Sequence, residues 1–315
     1  MNVIKFVKDW TLPLSMLFGT FAYFFLHTVP IPVELKEFLK AVIDLMMPLL
    51  IFVMLFVTFC KVYPRELKLV PWHLWLTLIQ VVGCVAVYYA LAPFNKIVAE
   101  AAMVCVICPT ATAAAVITGK LGGSASSLTT YTLLSNLFAT VVVPLIFPIV
   151  EPHASGDFFT AFLMILKKIF PLLICPFLAA CLLQVTLPKV NAKITSCRDL
   201  AFYLWAVSLS IVTGKTVKSL VESQADPGVE IWIALAALAV CCLQFILGKS
   251  IGGAYNDRIS AGQALGQKNT VLAIWMAYTF LNPLSSVGPG SYVLWQNIIN
   301  SWQLWKKRKK EAAGA

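Results

Sequence analysis

Apolar runs about as long as a bilayer is thick recur from one end of this chain to the other, and nothing else constrains its fold as much. In lipid no water reaches the backbone N–H and C=O groups, so a crossing segment must satisfy its own, which favours helices. Each helix needs about 20 mostly apolar residues. The 315 residues are 60% hydrophobic and 12% charged, with a mean hydropathy of +0.84, whereas a soluble domain carries about 25% charged residues. The chain reads as an all-α polytopic membrane protein, one membrane domain over residues 1–315, and not as a soluble enzyme with an anchor. Ten transmembrane helices are predicted at about 11–29, 38–60, 73–92, 97–118, 128–149, 158–186, 199–217, 230–250, 260–281 and 287–304.

The net charge of +10 lies in short loops and at the C-terminus, which excludes nucleic acid as the partner it serves. Lys61, Arg65 and Lys68 follow the second span, Lys189, Lys193 and Arg198 the sixth, and Lys249 and Arg258 flank the turn after the eighth. These fall on the side of Lys5, Lys8 and the basic tail Lys306-Lys307-Arg308-Lys309-Lys310. Short cytoplasmic loops collect Lys and Arg, so both termini are expected in the cytoplasm and the protein in the inner (plasma) membrane. The N-terminal segment lacks a small-x-small cleavage site and is read as a retained first span. The loop with Lys215 and Lys218 fits the bias less well, and Lys215 is read as snorkelling from the end of span seven. Asp44 is read as interfacial.

Most of the nine cysteines sit inside apolar spans, and neither they nor the three histidines have ligand spacing. No metal and no cofactor are expected. The sequence also lacks a nucleophile elbow, a P-loop, HExxH and clustered carboxylates, so it is not read as an enzyme.

Two spans are interrupted. The fourth meets Cys108-Pro109 and then the small residues Thr110-Ala111-Thr112-Ala113-Ala114-Ala115; a proline there removes a helical hydrogen bond. The ninth carries Gly262-Gln263-Ala264-Leu265-Gly266-Gln267-Lys268-Asn269. Each is the fourth of five, and interrupted spans at matching positions of two halves point to a transporter binding site. Five being odd, the halves would be inverted repeats. Lys268 lies about 13 Å into its span, too deep for comfortable snorkelling. A lysine at a helix centre costs about 2.5–3.5 kcal/mol on insertion scales, so intramembrane charges are functional by default.

Several motifs resemble one family. Cys108-Pro109-Thr110-Ala111-Thr112-Ala113, with Pro144 in the next span, is similar to the CPGGTAS segment of the bile acid:sodium symporter family. Ala264-Leu265-Gly266-Gln267-Lys268-Asn269 resembles its EVGMQN, and Asn282-Pro283 and Trp295-Gln296-Asn297 resemble its NP and WHN pairs. The resemblance implies a panel domain (about 11–60 and 158–217) and a core domain (about 73–149 and 230–304) with crossed, discontinuous helices 4 and 9. An organic anion would bind in the cleft between the domains, and sodium behind the crossing. The family's ligand positions fall here on Ala114, Ala115, Leu128 and Ala264, with only Thr132 kept; Gln80 matches a span-three ligand, and Lys268 stands where the family has Gln. Sodium wants oxygen ligands, and Ala and Leu supply none. A lysine beside the site would repel it by roughly 4 kcal/mol at about 4 Å.

The expectation is a secondary transporter of an organic anion, bile-acid-like or a small carboxylate, working by alternating access and without sodium. Lys268 would replace the bound cation, either as a permanent charge or as a titrating group that links transport to protons. Gln267, Asn269, Thr110, Thr112, Thr132 and Gln80 complete the expected site. Two other readings stay open: a sodium-coupled symporter with a residual site, and a non-transporting sensor or scaffold on the same fold.

Overall fold

The computed structural model of the chain describes residues 11–62, 65, 67–151, 157–197, 200–223 and 226–313. Lys5, Lys8 and Arg198, named above, and His153, one of the three histidines, lie outside the described residues. The apolar runs form helices: α1 (Thr11–Thr28), α2 (Val33–Phe59), α3 (Pro71–Leu91), α4 (Lys96–Ile107), α5 (Ala114–Leu121), α6 (Ala125–Val150) and α7 (Phe158–Leu173). Then come α8 (Cys175–Thr186), α9 (Pro188–Ser196), α10 (Leu200–Val221), α11 (Pro227–Ala254), α12 (Arg258–Gly266), α13 (Thr270–Phe280), a 3-10 turn (Pro283–Ser286) and α14 (Val287–Ala313). Among the described residues, six segments are long and apolar enough to cross a membrane: Val33–Phe59, Pro71–Leu91, Ala125–Val150, Phe158–Thr186, Tyr203–Val221 and Pro227–Ala254. The protein is an all-α, multi-spanning membrane protein.

Polar residues at the helix starts do the local work. Asn95 Oδ1 accepts the N–H groups of Ile97 and Val98 at the start of α4. Asp226 accepts from Gly228, with Pro227 in the first turn of α11. Such caps satisfy amides that have no helical partner.

Three segments differ from the sequence expectation. The run 158–186 is divided at Ile174 into α7 and α8. Pro176 has no N–H to give the preceding turn, and its ring crowds the carbonyl four residues back. The basic connection after it contains a short helix, α9, opened by Pro188, whose fixed φ suits a first helical turn. The last helix continues past 304 through the basic tail, where lysine and arginine are good helix formers and favour a C-terminal turn.

The main apolar core draws on α2, α4, α6, α7, α11, α13 and α14. Helices α1 and α10 lie side by side, α10 also meets α2, and α2 meets α8; separately, α3 lies along α4 and α11 along α12. Two of these contacts depend on glycine. A Cβ on Gly19 of α1 would stand 2.1 Å from the Ser210 carbonyl oxygen of α10. On α11, Gly248 and Gly252 are one turn apart; added Cβ atoms would stand 2.5 Å from the Ala261 O and 2.5 Å from the Asp257 O. Small residues at this spacing let membrane helices approach backbone to backbone. The approach seats α12 against α11 and sets where α12 ends.

Gly248→Ala should therefore destabilise the protein by about 1–3 kcal/mol through overpacking. Gly253→Ala, where nothing lies within 4 Å of the new carbon, should be neutral or stabilising. Unfolding of the two purified variants in detergent, followed by tryptophan fluorescence, checks the contrast.

Candidate functional site

Helix α4 stops at Ile107 because Cys108 turns extended (φ −55°, ψ 135°) ahead of Pro109. Helix α12 stops at Gly266, where Gln267 is also extended (φ −102°, ψ 102°). The two extended segments cross as an antiparallel bridge centred on Thr110 and Lys268. Ala111 N–H donates to Gln267 O at 2.9 Å, and Asn269 N–H donates to Pro109 O at 2.9 Å. Neighbouring side chains take up the remaining backbone groups. Lys268 N–H donates to Gln296 Oε1 at 2.9 Å, Thr110 N–H to Ser135 Oγ at 3.2 Å, and Cys108 Sγ to Asn269 O at 2.9 Å. The Thr110 hydroxyl reaches across to Ala264 O at 2.6 Å. Each broken helix thus supplies part of the hydrogen bonding that the other has lost.

The last carbonyls of α4 point into this region and carry the partial negative charge of a helix C-terminus. Lys268 Nζ donates to Val106 O at 2.9 Å. Gln80 Nε2 donates to Ile107 O at 2.7 Å and to Cys108 O at 2.9 Å, and is itself held by Tyr131 OH, 3.0 Å from its Oε1. An ammonium and an amide together cap the half-helix. Lys268 is only 1% exposed, and none of the described ion pairs includes it. The ionisable groups within electrostatic reach of it are the thiols of Cys84, Cys105, Cys108 and Cys241. At the end of α12, Tyr292 OH donates to Gly266 O at 2.8 Å and accepts from Gln244 Nε2 at 3.1 Å.

The sequence-predicted residues separate into groups. Lys268, Gln80 and Thr110 meet at the crossing. Asn269 caps α13 through Leu272 N–H at 3.3 Å and makes no hydrogen bond to the Lys268 ammonium. Gln267 joins through its backbone, while its buried Oε1 has no hydrogen-bond partner. The Thr132 hydroxyl bonds back to Leu128 O at 3.0 Å within its own helix. Thr112 sits half-buried in the turn after the crossing. Ala114, Leu128 and Ala264 are buried in one apolar cluster with Trp72, Leu76 and Tyr131, and Ala115 lies against it. No group of His, Cys, Asp or Glu suited to a metal ion occurs among the described residues.

Sequence reasoning missed several polar residues. Glu100, 1% exposed, accepts Asn282 N–H at 3.1 Å and lies 4.0 Å from Lys96, which also pairs with Glu151. Its (i, i+4) spacing from Lys96 suggests a surface pair, which hides its burial. Lys215 has a distant partner: it bonds Asp44 Oδ1 at 2.6 Å, 171 positions away, and lies 4.9 Å over the Tyr278 ring. A cleft of about 380 Å³ opens nearby, between the end of α10 and the turn after α13, lined by Lys218, Ser219, Glu222, Tyr278 and Asn282.

Residues 47–223 match the family model described as Sodium Bile acid symporter family. The chain belongs to that family. No curated protein matches it. The match covers the first break and stops before α11, so Lys268 and the second break lie outside the matched residues. The sodium bile acid symporter family is one of transporters, not of enzymes, and the multi-spanning helical fold agrees with a secondary transporter of that kind.

Thr110→Val keeps the shape of the crossing and removes the bond to Ala264 O. A buried acceptor left unpaired costs about 1–3 kcal/mol. The variant should unfold correspondingly earlier than wild type in denaturant, while Thr112→Val, which breaks no such bond, should not.

Proposed function

We propose that the protein is a secondary transporter of an organic anion, bile-acid-like or a small carboxylate, that works by alternating access without sodium. Lys268 takes the place of the bound cation. The observation that carries this reading is the Lys268 ammonium against the carbonyl end of α4, with 2.9 Å to Val106 O, beside an apolar cluster that contains Ala114, Leu128 and Ala264. In the family these last positions hold sodium ligands. A site that has lost most of its side-chain oxygen ligands and carries a fixed positive charge disfavours a second cation, whereas an anion is attracted. Charge on Lys268 can be permanent, or it can leave as a proton and so couple transport to a pH gradient.

On this reading the two breaks belong to inverted repeats of five spans. Support comes from matching roles at the two half-helix ends. A Gln–Tyr pair stands at each: Gln80, held by Tyr131, bonds the end of α4, and Tyr292, bonded by Gln244, reaches the end of α12, while Gln244 also donates to Cys105 O of α4. Helices α1, α2, α7, α8 and α10 would form the panel, and α3–α6 with α11–α14 the core, both termini facing the cytoplasm. The contacts of α10 with α1 and α2, and of α11 with α12, agree with that division.

The test is uptake of a labelled bile acid and a labelled small carboxylate, in parallel, into proteoliposomes, with potassium in place of sodium and a pH gradient imposed separately. Uptake of one anion is expected to be indifferent to sodium and to fall by at least about tenfold in Lys268→Met. Acceleration by the pH gradient, lost in Lys268→Gln, would assign the proton-linked version. Sodium-dependent uptake, or full activity in Lys268→Met, would overturn the proposal.

A further inference from the structure

At one end of the bundle α11 finishes, α12 begins and α14 carries the basic tail. Lys249 of α11 lies along α12: a Cβ on Gly262 would stand 2.5 Å from the Lys249 Cγ. Its ammonium is within electrostatic reach of Arg258, the first residue of α12, and of Lys306 on α14. Helix α11 packs against both α12 and α14, so cations of three helices stand around this end of α11, and none of the described ion pairs includes any of them. Helix α12 starts there without a side-chain cap, so its N-terminal amides add positive potential. The acidic residue of the turn, Asp257, is within electrostatic reach of His73. Like charges held together without counter-ions repel one another, and an anion between them removes the repulsion.

The surroundings identify the anion's source. Trp302 and Trp305 of α14 are half-exposed, with Lys306 5.1 Å over one ring and Lys309 5.4 Å over the other. Trp75 and Tyr255, also exposed, are hydrogen-bonded at 3.0 Å where α11 ends. Amphipathic aromatic rings beside lysines mark the headgroup level of a bilayer, and basic pockets between membrane helices bind lipid headgroups. We propose that Lys249, Arg258 and Lys306 form a binding site for the phosphate of an anionic phospholipid, whose acyl chains lie along α14 beside Trp302 and Trp305. The bound headgroup would tie α11 and α12 to α14, which brings Gln296 and Tyr292 to the crossing.

Melting of the purified full chain, followed by tryptophan fluorescence, tests this in nanodiscs of phosphatidylcholine alone and with phosphatidylglycerol added. Phosphatidylglycerol should raise the melting temperature, less so at high salt. The gain should vanish in the triple variant Lys249→Gln, Arg258→Gln, Lys306→Gln and persist in Lys36→Gln, Lys40→Gln at the start of α2. Should the triple variant not fold, each single variant is expected to weaken phosphatidylglycerol binding about fivefold. An undiminished response in the triple or single variants, or no advantage of phosphatidylglycerol over phosphatidylcholine, would overturn the site. Equal stabilisation by inorganic phosphate would overturn the lipid assignment.

Discussion

The structure turns on a problem of buried backbone. Two helices stop inside the protein, where Cys108, Thr110, Gln267 and Lys268 are buried, and each stop strips hydrogen-bond partners from several peptide groups. The pair of bonds between Ala111 and Gln267 and between Asn269 and Pro109 answers this by setting one break against the other. Neither break is tolerable alone, so the positions of α4 and α12 are set together. The glycine contacts of α11 against α12 fix where α12 lies, and the cap at Asn95 fixes where α4 begins.

What the backbone pairing leaves over is charge. The final carbonyls of α4 converge as a half-helix C-terminus, a natural seat for a cation. An ammonium desolvated in this position has none of the carboxylate partners that usually accompany buried lysines. Its compensation comes from Val106 O, from the helix end as a whole and from thiols nearby. Gln80 takes the two neighbouring carbonyls, so charge and dipole divide the work between them. Removing either side chain leaves buried acceptors without donors.

Much of this was legible in sequence, and the rest was not, for a physical reason. Apolar length marks the helices, Pro109 marks one break, and the glycines and Lys268 mark the other, because each acts on the backbone within its own segment. Proline also stood in view at Pro176 and Pro188, but whether it bends a helix or begins one depends on what packs around it. Partnerships across the chain left no local signal. Tyr131 and Tyr292 look like ordinary apolar-span aromatics until their hydroxyls reach Gln80 and Gly266 O. Asp44 and Lys215 each look interfacial because neither sequence neighbourhood contains the other. Glu100 was hidden by a lysine one turn away, which made a buried carboxylate resemble a solvated pair.

A covalently held cation differs from a bound ion in one respect that matters for a transport cycle: it cannot diffuse away. On the proposed reading the positive charge at the crossing is present in every conformation unless a proton leaves it. A permanent ammonium without a carboxylate partner is an attraction for an anion that does not depend on a cation gradient, so direction follows from the anion's own gradient. A titrating ammonium instead loses that attraction when it loses its proton, and release of the anion and of the proton become one event. The apolar cluster around Ala114, Leu128 and Ala264 bears equally on both versions. On the proposed reading these apolar positions offer no side-chain oxygen to a second cation, so in either case the electrostatics of the cycle rest on Lys268 and its anion.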